Sequence, residues 1–308
     1  MFTGLSAFPL TPLPHDALDE RAFVGLIERL TAAGVDSITA LGSTGSYAYL
    51  SSDERARVAT LAVNYAGDTP VFVGIGALRT SQVLTNLERA EDAGARGVLL
   101  APLTYQPLTA DDVFELFRTV TERTELPVIV YDNPATTHFT FTPELYGRIA
   151  ELPGIASIKI PGVPADAAAA RERVQSIRDR VPSHVSIGVA GGGFAAAGLD
   201  AGRNTWYSDG GGTLPGPALR IARAALAGNG AEALAESERL APLWALNAEF
   251  GGSLRVIAAL AEHLGLVPEH SLPLPIQGLT HTQRARVAAV ADEPGLAAAR
   301  SRNRPPQS

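Results

Sequence analysis

Short apolar segments alternate along the chain with longer segments in which apolar residues recur at helical spacing. The short segments predict eight strands, at residues 5–9, 35–41, 71–75, 97–100, 128–131, 155–160, 185–189 and 204–208. The segments between them predict helices at residues 19–33, 52–65, 82–93, 110–123, 143–150, 165–180 and 194–201. Each predicted strand is short and apolar, as expected of a parallel sheet that is covered on both faces.

The repeated order of strand and then helix predicts an α/β fold, a single (β/α)8 TIM barrel. A doubly wound open sheet is the alternative, although it usually needs fewer strands. After residue 208 the patterns are helical only, at residues 217–227, 232–247, 253–264 and 283–290. We therefore predict a barrel over residues 1–228, a small C-terminal helical extension over 229–295 and a flexible tail over 296–308.

Composition excludes several functional classes. The chain has 308 residues and a net charge of -7, and its basic residues are scattered among acidic ones, which argues against a nucleic-acid partner. It has no cysteine, and its six histidines show no metal-ligand spacing, so we expect no metal site. Because no apolar run has transmembrane length and no secretion signal is evident, we expect a cytoplasmic protein without a membrane partner.

Lysine is almost absent, since the 25 basic residues are 24 arginines and Lys159. Lys159 is predicted to lie at the carboxyl end of the sixth strand, where barrel enzymes carry their active sites. Its apolar neighbours favour the neutral amine, which is a nucleophile, whereas arginine cannot lose its proton near neutral pH. A lysine that reaches solvent from the strand end, or pairs with a carboxylate, is the structural alternative. The position favours a catalytic amine.

Two neighbouring features fit that chemistry. Tyr131 ends the predicted fifth strand, where its phenol can move protons beside an amine, although an interfacial tyrosine is the alternative. The segment Gly42-Ser43-Thr44-Gly45-Ser46 follows the second strand, and its small residues, N–H groups and hydroxyls can hold a carboxylate. By itself this segment is also typical of an ordinary loop.

Two glycine clusters suggest a different ligand. Residues 191–193 and 210–212 are triple glycines after the predicted strands seven and eight, where barrels often bind phosphate. A phosphosugar enzyme is therefore a further hypothesis, weaker than a pocket for an unphosphorylated ligand.

Together these motifs resemble the dihydrodipicolinate synthase/N-acetylneuraminate lyase family over about residues 1–290. The resemblance rests on residues 42–45 after strand two, on Tyr131-Asp132-Asn133-Pro134 after strand five and on Ile158-Lys159 in strand six. It implies a class I lyase or aldolase that acts on pyruvate or a related 2-keto acid. It also implies a homo-oligomer, a dimer or homotetramer, that needs no cofactor.

The resemblance assigns a role to each motif residue. Lys159 matches the family's Schiff-base lysine, and Tyr131 and Thr44 match its proton relay. Ser43, Thr44 and Gly45 match the loop that binds the keto-acid carboxylate.

Three positions depart from the family pattern, and all concern the second half of the reaction. Ser46 replaces a glutamate, and Thr136 stands where family synthases carry an arginine for the second substrate's carboxylate. Thr104 stands where a second relay tyrosine is expected, with Tyr105 one place away. We therefore place Thr136 and Tyr105 among the substrate-binding residues and expect a less anionic second substrate.

The sequence thus predicts a lyase that forms a Schiff base between Lys159 and a 2-keto acid. A dehydratase of a deoxy-keto sugar acid would use the same amine. A ligand-binding barrel that has kept the lysine but lost turnover is the alternative from a different class.

Overall fold

Eight parallel strands close into a barrel in the computed structural model, which describes residues 2–164, 166–202, 204–293 and 296. Each strand pairs with the next along the chain, and β8 pairs with β1. This closed sheet confirms the predicted TIM barrel and excludes the open-sheet alternative. The strands are β1 Gly4–Ala7, β2 Ser37–Ala40, β3 Val71–Gly74, β4 Gly97–Leu100, β5 Val128–Tyr131, β6 Ile155–Ile160, β7 Ser186–Ala190 and β8 Thr205–Ser208.

Helices surround the barrel and continue beyond it. In the described residues they are α1 Glu20–Ala33, α2 Ser52–Tyr65, α3 Thr80–Asp92, α4 Ala110–Thr121, α5 Pro134–Thr137, α6 Pro143–Ala150, α7 Ala167–Arg178, α8 Ala195–Asp200, α9 Asp209–Thr213, α10 Pro215–Leu226, α11 Gly230–Arg239, α12 Ala241–Glu249, α13 Ser253–His263 and α14 His281–Ala291. The predicted bounds of α2 and α6 are confirmed without change. The short helices α5 and α9 were not predicted, because four or five residues carry too little periodicity to be recognised.

One predicted helix is divided in two. The pattern over 232–247 predicted a continuous helix, but α11 ends at Arg239 and α12 begins at Ala241. Pro242 lies in the first turn of α12, where its missing N–H is not needed. Inside one long helix the same proline would remove a hydrogen bond and clash with the preceding turn, so the chain begins a new helix there.

The strand residues pack in two layers. Residues 71, 73, 98, 100, 128 and 130 contact the surrounding helices, and the residues between them point into the barrel. The inward residues form a separate buried cluster of Phe8, Phe72, Leu99, Ala101, Ile129, Tyr131 and Tyr207. The barrel interior is therefore a filled core.

The extension lies against the carboxyl end of the barrel. The Trp244 ring of α12 packs so closely on the loop after β7 that a Cβ at Gly192 would lie 2.3 Å from it. Its position near Gly210 shows that the same ring also covers the loop after β8. The extension thus forms part of the wall above strands seven and eight.

The boundary at residue 228 remains a prediction, and residues 297–308 of the predicted tail lie outside the described residues. No helix in the described part of the chain is long and apolar enough to cross a membrane.

Candidate active site

A cavity of about 630 Å³ opens at the carboxyl ends of the strands. It lies where TIM-barrel enzymes carry their active sites. Five of the predicted site residues line this cavity, and they are Ser43, Thr44, Tyr131, Thr136 and Lys159. The sequence prediction therefore identified residues from four separate segments that the fold brings together.

Lys159 is buried in this cavity with only 5% of its surface exposed. On β6 it pairs in register with Tyr131 of β5, and its Nζ lies 4.2 Å from the centre of the Tyr131 ring. The Phe8 ring, whose centre is 5.4 Å from Nζ, covers the amine from another direction. The two strands thus hold the amine against aromatic faces.

Burial lowers the pKa of Lys159 to about 7, because the charged ammonium loses its hydration. The carboxylates of Asp209 and Asp132 act in the opposite sense and keep the pKa from falling further. Near neutral pH the amine is therefore a mixture of the charged and the neutral, nucleophilic form.

Tyr131 is held by a triangle of polar side chains. Its hydroxyl lies 3.1 Å from Ser43 Oγ and accepts a 2.9 Å hydrogen bond from Asn133 Nδ2. Asn133 Nδ2 also donates to Ser43 Oγ at 3.2 Å. Burial raises the pKa of Tyr131 above its usual value, so the phenol keeps its proton and can donate it.

The loop after β2 carries backbone strain at both ends. Leu41 and Ser46 have φ values of 57° and 55°, in the left-handed region that side chains other than glycine rarely adopt. Such strain is typical of functional loops and persists only when the surroundings enforce it. Gly74 is one of the surrounding residues that hold the loop in this conformation. The Leu41 carbonyl oxygen packs so closely on it that a Cβ at position 74 would lie 1.9 Å away.

The strained loop presents Thr44 to the cavity, but not Gly45. Thr44 is buried and lines the cavity, whereas Gly45 lies below it, where a Cβ would be 3.1 Å from the Leu41 nitrogen. Among the described residues, none accepts a hydrogen bond from the backbone N–H of Thr44 or Gly45. Gly45 thus has no side chain to offer, and that backbone N–H is the group through which it can contact a ligand.

Two predicted substrate-binding residues are placed differently from each other. Thr136 is exposed on α5, and its hydroxyl donates a long 3.4 Å hydrogen bond to the Asn133 carbonyl. Tyr105 follows β4, is 86% exposed and does not line the cavity of its own chain. Thr104, beside it, donates its hydroxyl proton to the Gln106 carbonyl. The predicted role of Tyr105 therefore has no counterpart within one described chain.

Several residues that line the cavity were missed by the sequence prediction. Asp209 directly follows β8, so its place at a strand end was a usable signal. Tyr47 follows the strained loop, and burial raises its pKa to about 12, while the nearby Arg55 guanidinium opposes that shift. Arg255 lies in α13, and no strand or motif indicated that it would reach the cavity.

The triple glycines are explained by close packing. A Cβ at Gly212 would lie 2.0 Å from the Phe8 carbonyl oxygen, and Gly192 lies under Trp244. The N–H groups of Gly210 and Gly211 donate to the side chains of Asp209 and Ser208. Because the protein itself takes up these donors, the cluster after β8 offers little to a phosphate.

Comparison with known proteins agrees with this arrangement. The model of the dihydrodipicolinate synthetase family matches residues 1–293. The crystal structure of dihydrodipicolinate synthase from Agrobacterium tumefaciens is 43% identical, with a TM-score of 0.91 over 96% of this chain and 98% of that one. The 4-hydroxy-tetrahydrodipicolinate synthase of Phenylobacterium zucineum is 30% identical over 96% of this chain and 98% of its own length.

A third relative matches over a shorter segment. The 4-hydroxy-tetrahydrodipicolinate synthase of Hyphomonas neptunium is 37% identical over 160 residues, which is 52% of this chain and 55% of that protein. The predicted family resemblance and the prediction of a lyase are confirmed by these matches. The chain belongs to the dihydrodipicolinate synthetase family.

Proposed function

We propose that this chain is a class I lyase or aldolase in which Lys159 forms a Schiff base with pyruvate or a related 2-keto acid. The observation that carries the proposal is a buried lysine, the only one in the sequence, with a pKa of about 7 in the strand-end cavity. A lysine is rarely buried without a partner unless its amine is used.

The first step is addition of the neutral amine. Lys159 Nζ attacks the C2 carbonyl carbon, and a proton passes to the carbonyl oxygen to give a carbinolamine. A second proton on that oxygen lets it leave as water, and the nitrogen lone pair forms the C=N bond of an iminium. The protonated Tyr131 hydroxyl, linked to Ser43 at 3.1 Å, is placed to deliver and recover these protons.

The second step uses the iminium as an electron sink. Loss of a C3 proton gives an enamine, and its electron pair forms a bond to an aldehyde carbon. The aldehyde oxygen takes a proton, and water then releases the product and restores the amine. In the cleavage direction the C3–C4 bond gives its electrons to the iminium, so the same groups serve both directions.

The loop after β2 supplies the proposed carboxylate site. Thr44 is buried at the cavity wall, and the backbone N–H groups of Thr44 and Gly45 have no acceptor among the described residues. Two such donors together with a hydroxyl suit a carboxylate. Thr44 would also join Tyr131 and Ser43 in the proton relay.

The proposed enzyme is a homo-oligomer, with Tyr105 as part of its interface. The exposed side chains of Tyr105 and of Tyr49, which is 53% exposed, support a contact on this side of the barrel. Aromatic side chains are enriched at protein interfaces. The assembly is tested by the mass in solution and by its change in Tyr105→Ser.

A dehydratase of a deoxy-keto sugar acid is the second candidate. It uses the same iminium, but a carboxylate takes a proton from C3 and passes it to the hydroxyl group on the next carbon, which leaves as water. Asp209 favours this candidate because it places a carboxyl group in the cavity beside the amine. Product analysis separates the two reactions, since only the dehydratase releases water without forming or cleaving a carbon–carbon bond.

Reduction of the Schiff base tests the shared step. The protein is incubated with pyruvate and sodium cyanoborohydride, and peptides are mapped by mass spectrometry. We expect one adduct on the peptide that contains Lys159, with none on that peptide in Lys159→Arg. If neither pyruvate nor a panel of other 2-keto acids modifies Lys159, the proposal is wrong. Turnover that is lost in Lys159→Arg would eliminate the silent-barrel alternative.

A further inference from the structure

Arg255 places a guanidinium group in the wall of the cavity. Among the described residues that line the cavity, it is the only arginine, and Lys159 is the only other basic residue. Thr136, which is exposed on α5, also lines the cavity and carries no charge. A positive group is therefore present at this site, but it comes from the C-terminal extension.

The two Nη groups of the Arg255 guanidinium are available to bind a ligand. Arg255 Nε donates a 2.8 Å hydrogen bond to the Gln277 carbonyl, which anchors the side chain. Within the described chain, the two Nη groups have neither a carboxylate partner nor a hydrogen-bond acceptor. Parallel N–H groups of this kind match the two oxygens of a carboxylate.

Two further observations point to an anionic or strongly polar ligand at the same cavity. Ser46 is only 2% exposed, lines the cavity, and its Oγ has no hydrogen-bond partner. Arg255 lies in the first turn of α13, which begins after Gly252 without a side-chain cap. The positive end of this helix adds to the potential of the guanidinium.

We propose that Arg255 binds a second carboxylate of the substrate, at the end remote from the keto acid. The substrate class is then a 2-keto acid with carboxylates at both ends, or the aldehyde carboxylate that its cleavage releases. This inference rests on the proposed Schiff base at Lys159. The expectation of a less anionic second substrate considered only position 136, whereas the fold brings Arg255 to the cavity from a segment more than a hundred residues later.

The test compares matched ligands on the intact protein. Cyanoborohydride trapping at Lys159 is measured against concentration for 2-oxoglutarate and for 2-oxopentanoate, which differ in the distal carboxylate. In the wild type, we expect 2-oxoglutarate to reach half-maximal trapping at a concentration at least about tenfold lower than 2-oxopentanoate does. Hydrogen bonds to a charged group stabilise a complex by about this much. Arg255→Gln should remove the preference and leave pyruvate trapping within about twofold. Equal trapping of both ligands by the wild type would overturn the inference.

Controls separate binding from structural effects. Arg255→Lys keeps the charge but loses the forked donor, so it should retain part of the preference. Arg21→Gln, an exposed arginine on α1 that does not line the cavity, should behave as the wild type. If all Arg255 variants lose pyruvate trapping as well, the residue is structural and the inference fails.

A non-covalent measurement keeps the inference testable if no adduct forms. In Lys159→Ala, calorimetry with 2-oxoglutarate and 2-oxopentanoate reports the distal site alone. Tighter binding of the dicarboxylate that disappears when Arg255→Gln is added would support the site even though the Schiff-base proposal had failed. The absence of any difference would reject the site independently of the covalent chemistry.

Discussion

The ionisation of Lys159 sets the acid limit of the proposed reaction. At its pKa of about 7 half of the amine is neutral at pH 7, whereas an ordinary lysine with a pKa of 10.5 is neutral in about one molecule in three thousand. Only the neutral amine adds to a carbonyl. The rate of adduct formation should therefore rise with pH, reach half its maximum near pH 7 and stay level above pH 8.

Asp209→Asn tests which groups set this pKa. The Asp209 carboxylate favours the ammonium and raises the pKa of Lys159 against the effect of burial. Its removal should lower the pKa further, by about half a unit to one unit, because a nearby opposite charge is lost. At pH 6 the neutral fraction then rises about three- to fivefold. Asparagine keeps an oxygen that can accept the hydrogen bond from the Gly210 N–H.

The single lysine permits a direct assay. Protein grown with ¹³C-labelled lysine gives one side-chain ε-carbon resonance, and its chemical shift against pH reports the ionisation of Lys159 alone. Asp68→Asn, a change of the same type in an exposed turn away from the cavity, should leave the midpoint unchanged. A wild-type midpoint near 10, or a midpoint that rises in Asp209→Asn, would refute this account of the site.

Three further variants test the site and its support. Tyr131→Phe should slow adduct formation by about 10²- to 10⁴-fold, measured by trapping, because the relay loses its acid; a change below threefold would contradict that role. Asp132 has a pKa raised by burial to about 6, so folding takes up a proton there; its contribution to stability is present at low pH and lost as pH rises through 6. Chemical unfolding should show the wild type gaining up to about 3 kcal/mol relative to Asp132→Asn between pH 7 and pH 4, and parallel pH curves would exclude this. Gly74→Ala should lower the free energy of unfolding by about 2 kcal/mol or more, because the added Cβ would clash with the Leu41 carbonyl. Gly25→Ala on α1, where a Cβ meets no other atom, is the control and should be neutral or stabilising. Equal effects of the two substitutions would show that the loop adjusts to the added Cβ without a measurable loss of stability.

Local patterns were sufficient to predict the barrel and the pairing of Lys159 with Tyr131 at the strand ends. Each strand is short and mostly apolar, so its place in a parallel sheet could be recognised without knowledge of its neighbours. Lys159 and Tyr131 follow from the same reasoning, because strand order alone places the ends of β5 and β6 side by side. Asp209 could have been found in this way, since it directly follows β8.

Other features depend on tertiary contacts that no local pattern records. Arg255 reaches the cavity only because α12 and α13 dock against the loops after β7 and β8. The strain at Leu41 and Ser46 is enforced by neighbouring segments. The break before Pro242, in contrast, could have been predicted from the proline itself, because its missing N–H and its ring disfavour the interior of a helix.

The distribution of these features allows the groups at the outer part of the cavity to change while Lys159 and Tyr131 stay in place. The pairing of Lys159 with Tyr131 is fixed by the ladder between β5 and β6, which no loop substitution alters. Thr136, in contrast, lies exposed on a four-residue helix, and a change there affects what meets the far end of a substrate. Arg255 lies on a third, independent segment. A barrel of this kind can therefore move its distal anchor from one segment to another without disturbing the covalent step, because the two halves of the site are held by different elements.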